Sequence, residues 1–179
     1  MSGELARALA GSFARVHRGL NPSKIQRRVD QVGIDRFIES CGRFAAVSGG
    51  VAGIGGAFTL MVGVPADIAN VVAQQFRVTQ AVIYHRTGRS AVPYPYFLRI
   101  AGLSVDVEHS ATGVEALGVA IGSAMAKMLV ARGVGLMVPV AGSVVGGLFG
   151  YGYIRSRGTK LLALSDEQFR FTQPGEITQ

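Results

Sequence analysis

Cysteine, tryptophan and charged residues are scarce in this chain. The single cysteine, Cys41, excludes an internal disulfide framework and a cysteine-based zinc cluster. The lack of tryptophan removes one marker of a membrane interface. Charged residues make up only 16% of the 179 positions, whereas soluble domains average about a quarter. Because 49% of the residues are hydrophobic, we expect one compact domain with apolar surface to bury in lipid or in a partner.

The net charge of +7 is distributed unevenly along the chain. Residues 1–46 hold eight lysines and arginines against four acids, and residues 47–66 hold neither. A basic segment beside an apolar body favours anionic lipid over nucleic acid as a partner, although a solvated basic helix face gives the same pattern. No long apolar run follows Glu4, so we expect no cleaved secretory signal and a cytoplasmic address.

Apolar residues recur at helical spacing, and no segment alternates as a strand would, so we predict an all-α compact bundle of six or seven helices. The first helix, residues 4–20, is amphipathic. Its predicted contacts with a membrane surface are Arg7, Phe13, Arg15 and Arg18. Asn21 as N-cap and Pro22 at the first helical position predict a second helix that runs through Phe37.

Two uncharged runs are long enough to cross a bilayer as helices: 23 residues between Arg43 and Asp67, and 22 between Arg132 and Arg155. Each contains a proline and several glycines, which predict a shorter helix and a turn. We expect one helix to begin at Pro65 and end near residue 86, with residue 88 as its glycine cap. Further helices are predicted over residues 112–131 and from position 139 towards 164.

Glycines at four-residue spacing predict closely packed helical hairpins. Such a glycine zipper removes side chains from one helix face and lets another backbone approach. The predicted packing glycines are Gly49, Gly53, Gly118, Gly122, Gly142, Gly146 and Gly150. We expect the three helices that carry them to pack against one another, with Gly49 and Gly53 facing Gly142, Gly146 and Gly150.

Polar residues form one stripe on the helix after Pro65. Asp67, Asn70, Gln74 and Arg77 follow one another at steps of three, four and three. The stripe is either an ordinary water-facing side or a polar seam that lines a cavity or channel between helices.

No catalytic or cofactor pattern is recognisable. SVDVEHSATGVEALG contains carboxylates and a histidine, but the chain has no Glu-x-x-His pair of the kind that di-iron bundles use. GGVAGIGG lacks both GxGxxG and the lysine of a phosphate-binding loop. We therefore expect a non-enzymatic protein without metal or cofactor; an enzyme acting on lipid at Asp67, Arg77 or Glu108 is the remaining catalytic alternative.

Two segments resemble the EcsC family of bacterial proteins. They are GVPADIANVVAQQFRVTQAVIYHRTG and, downstream, LMVPVAGSVVGGLFGYGYIRSRGTKLL, with the strongest similarity in PVAGSVVGG, residues 139–147. The resemblance covers roughly residues 40–164. The sequence departs from the family pattern at His85-Arg86-Thr87. A related helical pattern in domains attached to membrane GTPases is an alternative match. The resemblance implies a helical, membrane-associated protein. It identifies no catalytic residue in this chain, because the family has no established activity.

The sequence thus predicts basic amphipathic helices over residues 1–46, an EcsC-like apolar helical core over 47–164, and a polar tail over 165–179. The favoured function is docking on, or insertion into, the cytoplasmic face of a bacterial inner membrane, with anionic lipid as partner and no nucleic acid. The alternative is a soluble helical carrier that holds an apolar small molecule, such as a lipid or isoprenoid, in a glycine-lined interior. A homo-oligomer or a protein partner is compatible with both.

Overall fold

A computed structural model describes residues 2–46, 66–107, 113–133 and 139–170. Within these ranges the chain forms seven α-helices and a short 3₁₀ helix, and no strand. They are α1 Ser2–Gly19, α2 Pro22–Val32, α3 Ile34–Ala46, α4 Ala66–Thr87, α5 Tyr94–Ser104, α6 Val114–Gly133, α7 Pro139–Leu162 and the 3₁₀ helix Asp166–Phe169. The prediction of an all-α bundle is confirmed.

Local signals place several helix ends where the sequence predicts them. The side chain of Asn21 accepts a hydrogen bond of 2.9 Å from the backbone N–H of Lys24, and Pro22 is the first residue of α2. At the end of α4, Gly88 has a φ of 71° and donates its N–H to the carbonyl of Tyr84 at 2.7 Å. Because glycine reaches positive φ without strain, it closes the helix at this point.

The predicted second helix, through Phe37, is in fact two helices. Gly33 adopts a φ of 81° and a ψ of 160°, and its N–H caps the carbonyl of Val29. This conformation is not helical, so α2 ends at Val32 and α3 leaves in a new direction from Ile34. The prediction of one continuous helix here was wrong.

Helix α4 lies at the centre of the bundle. It contacts α1, α2, α3, α5, α7 and the 3₁₀ helix. The ring of Phe76 on α4 lies 5.3 Å from that of Phe13 on α1 and 4.9 Å from that of Phe97 on α5. All three rings are fully buried, and aromatic burial of this kind is a main contribution to core stability. The N-terminal helices therefore share one core with the rest of the described chain.

Two of the predicted packing glycines bring helix backbones into close contact. A methyl group on Gly122 of α6 would lie 2.5 Å from the carbonyl oxygen of Ala6 on α1, and one on Gly150 of α7 would lie 2.5 Å from that of Ala45 on α3. No side chain fits at either position unless the backbones separate. Gly118 is different, because its nearest neighbour would be the side chain of Leu98 at an ordinary 3.9 Å.

The partners of these glycines differ from the prediction. Helix α6 packs chiefly on α1 and α7 on α3, so Gly122 and Gly150 do not bring the glycine-rich helices against one another. Gly49 and Gly53 lie outside the described residues, and so do the surroundings of Gly142 and Gly146 on α7.

Within the described ranges, none of the helices combines the length and the apolar character that a bilayer crossing requires.

Candidate functional site

The first three helices carry most of the exposed cations of the N-terminal region. Seven of the eight lysines and arginines of residues 1–46 are exposed, namely Arg7, Arg18, Lys24, Arg27, Arg28, Arg36 and Arg43. The eighth, Arg15, is half-buried. Because the apolar stripes of these helices face the core, the cations are left on the outside, where they attract anions.

The four residues predicted to contact a membrane divide into two groups. Arg7 and Arg18 are exposed, and Arg15 is partly accessible. Phe13, in contrast, is 0% exposed because it packs against Phe76 inside the bundle. The prediction that Phe13 contacts lipid was therefore wrong: the apolar stripe of α1 is used within the protein.

A concave basic groove lies between α2 and the outer side of α3. Its volume is about 320 Å³, and it is open to solvent. The residues that line it are Arg28, Val32, Arg36, Glu39, Ser40 and Arg43. Their spacing of three and four residues places them on one side of the two consecutive helices, so the turn at Gly33 brings the two segments together. We call these six residues the α2–α3 groove.

Two arginines of the α2–α3 groove have no ion-pair or hydrogen-bond partner among the described residues. Arg43 donates a hydrogen bond of 2.6 Å to Glu39, but both side chains are largely accessible, at 73% and 40% exposed. An ion pair so exposed contributes only about 0–1 kcal/mol, so Arg43 is easily drawn to another anion. Among the described residues, neither Arg28 nor Arg36 makes an ion pair or a side-chain hydrogen bond. The groove therefore offers solvated guanidinium groups that a ligand from solution can reach.

The predicted polar seam on α4 is a chain of hydrogen bonds that runs from the buried Gln74 through the half-buried Asn70 to the surface. Arg77 donates to Gln74 at 3.1 Å, Gln74 donates to Asn70 at 3.2 Å, and Asn70 donates to the backbone carbonyl of Phe44 at 2.9 Å. Gln74 is only 1% exposed, so this stripe is not an ordinary water-facing side. The contacts join α4 to α3. Asp67 is the second residue of α4, but its side-chain contacts lie outside the described residues.

A second polar cluster, which the sequence did not predict, joins α4, α5 and α7. Gln75 donates to the hydroxyl of Ser104 at 2.9 Å and accepts a hydrogen bond from the hydroxyl of Tyr153. Arg157 donates to the backbone carbonyl of Ser104 and lies over the ring of Tyr153 at 5.3 Å. Gln75, Ser104 and Tyr153 are buried, and each has a partner. This network holds three helices in register, although Nε of Arg157 is buried and has no hydrogen-bond partner among the described residues.

The described residues offer little chemistry for metal binding or nucleophilic catalysis. In those ranges no three His, Cys, Asp or Glu side chains come together as metal ligands would. Burial raises the pKa of Cys41 to about 11, so its thiol is protonated at neutral pH and is a poor nucleophile. Asp106, from the polar segment considered for a metal, forms an ion pair with Lys160, whose hydrogen bond lowers the pKa of the carboxyl group.

Comparison of the chain with protein-family models, curated proteins and solved structures gives no match. The resemblance to the EcsC family therefore stays a prediction. Of the sites predicted from sequence, the basic N-terminal helices remain as an accessible surface, whereas Phe13 and most of the polar seam serve internal packing. The α2–α3 groove is the accessible site to which the sequence reasoning assigned no role.

Proposed function

We propose that this protein is a non-enzymatic, membrane-associated helical protein that docks on the cytoplasmic face of a bacterial membrane through its first three helices. The observation that carries the proposal is the set of seven exposed cations on α1, α2 and α3. A lysine or arginine near an anionic bilayer contributes about 1 kcal/mol of attraction, so a few such residues suffice for reversible binding.

Electrostatic adsorption fits the described fold better than insertion of α1. Leu9, Phe13 and Val16, the apolar side chains that would enter lipid, are all 0% exposed. Insertion would require α1 to leave the core, whereas adsorption uses side chains that already point outward. The resemblance to the EcsC family, whose members are membrane-associated, supports the same proposal.

Vesicle flotation tests this function. The wild-type protein should float with phosphatidylglycerol vesicles, stay in solution with phosphatidylcholine vesicles, and be released in about 1 M salt, where the Debye length is about 3 Å. Replacing Lys24 and Arg27 with glutamine should weaken binding by about 2 kcal/mol, roughly thirtyfold.

The matched control removes two cations from other helices. Lys127 on α6 and Arg155 on α7 are also exposed, and replacing both with glutamine changes the net charge equally. We expect this control to retain most of the affinity for anionic vesicles. Wild-type protein that ignores anionic vesicles, or equal losses in the two double variants, would contradict docking through α1–α3. A stoichiometric apolar ligand in a protein that ignores vesicles would instead favour the carrier.

A further inference from the structure

The α2–α3 groove differs from the other basic surface in its shape and in its charge balance. Three arginines and one glutamate line it, which leaves an excess of two positive charges in a space of about 320 Å³. Like charges in one groove repel each other, so such an arrangement is most stable when an anion lies between them.

The donors of the groove suit a phosphate group. A guanidinium group presents two parallel N–H donors that match two oxygens of a phosphate. Arg28 and Arg36 both have this fork free among the described residues, Arg43 is paired there with the half-exposed Glu39, and Ser40 adds a hydroxyl group. A diester phosphate has two unesterified oxygens, whereas a monoester has three and carries a charge of about −1.5 to −2 at pH 7. The monoester therefore offers the two free forks one more acceptor oxygen than a diester does, and its charge is closer to the excess of two positive charges in the groove.

The position of the groove favours a ligand that is presented by a surface. It is open to solvent and lies on α2 and α3, which also carry the exposed Lys24 and Arg27. We propose that the α2–α3 groove binds the phosphomonoester headgroup of an anionic lipid, with Arg28 and Arg36 as its main ligands. This inference rests on the proposed function and adds headgroup selectivity to it.

Vesicles of matched surface charge separate the headgroup site from general attraction. Phosphatidylcholine vesicles containing phosphatidic acid are compared with vesicles containing phosphatidylglycerol, with the amounts adjusted to the same zeta potential. The wild-type protein should prefer phosphatidic acid by roughly tenfold or more, because charged hydrogen bonds add to attraction that is equal on both vesicles.

A charge-preserving triple variant tests the residues. Replacing Arg28, Arg36 and Arg43 with lysine keeps the net charge but removes the paired donors, so binding to phosphatidylglycerol should persist and the preference should fall to nearly one. The control replaces Arg7, Arg18 and Arg27 with lysine; these residues are exposed on α1 and α2 but lie outside the groove, and the preference should remain. Circular dichroism should show that both triple variants are folded.

Each remaining outcome decides a separate point. Wild-type protein that binds both anionic vesicles equally, or a groove variant that keeps the preference, would overturn the headgroup site and leave the proposed docking intact. Protein that binds neither vesicle would overturn the docking and the headgroup site with it. Glycerol 3-phosphate that binds in solution as tightly as phosphatidic acid vesicles would overturn the lipid assignment in favour of a free phosphomonoester.

Discussion

Replacing Gly150 with alanine should destabilise the protein, although alanine is the better helix former. Two effects oppose each other. Alanine in a helix interior gains about 0.8–1 kcal/mol over glycine. The new methyl group, however, would lie 2.5 Å from the carbonyl oxygen and 2.9 Å from the carbonyl carbon of Ala45, closer than the 3.0 Å that Cβ atoms keep. Both atoms belong to the backbone, so no side-chain rotation relieves the contact.

The size of the effect follows from these two terms. Overpacking of a tight contact costs about 1–3 kcal/mol, and backbone atoms place this contact in the upper part of that range. After the gain in helix propensity, Gly150→Ala should lower the free energy of unfolding by about 1–2 kcal/mol. Urea unfolding followed by circular dichroism measures it, and an unchanged m-value shows that stability alone has changed.

Gly152 supplies a matched control two residues further along α7. It is exposed, and a methyl group there would meet nothing within 4 Å. Gly152→Ala should therefore raise the free energy of unfolding by about 0.5–1 kcal/mol. If the Gly150 variant were stabilised as much as the Gly152 variant, the close approach of α3 and α7 would be refuted.

Two further predictions concern buried polar groups. Tyr153→Phe should cost about 1–3 kcal/mol, because the side-chain oxygen of Gln75 loses a buried donor, whereas Tyr151→Phe on the same helix should change the free energy of unfolding little. Burial lowers the pKa of His17 below 6.5, so its contribution to stability is complete above pH 6.5 and decreases as the pH falls towards the folded-state pKa. Unfolding measured from about pH 8 to pH 5 should thus be less pH-dependent in His17→Phe than in the wild type.

The helix boundaries were predictable because their signals are local. Asn21, Pro22 and Gly88 determine helix ends through contacts within four residues, and such contacts are visible in the sequence. The break between α2 and α3 was not predicted, because a glycine such as Gly33 within a periodic pattern does not reveal its φ angle. Only the structure shows that it adopts 81° and divides one apparent helix into two.

The errors at the candidate site have a different origin. A helix that packs on a protein core and a helix that lies on lipid have the same apolar periodicity, so the pattern around Phe13 could not distinguish the two. The buried network was also hidden, because Gln75 is 29 residues from Ser104 and 78 from Tyr153. The α2–α3 groove left a weak signal in the helical spacing of Arg28 and Arg36, but its concavity depends on the turn at Gly33.

The packing of α1 limits how this protein can meet a membrane. Lipid is about as apolar as the protein core, so moving Leu9 and Phe13 from one to the other gains little hydrophobic free energy. The move would, however, separate α1 from α6, where Gly122 fits against the backbone of Ala6, and would lose the dispersion contacts of that interface. Under the proposed function, α1 therefore remains in the bundle at the membrane, and the exposed cations of α1–α3 supply the attraction. Binding of this kind is reversible by salt, which an inserted helix would resist.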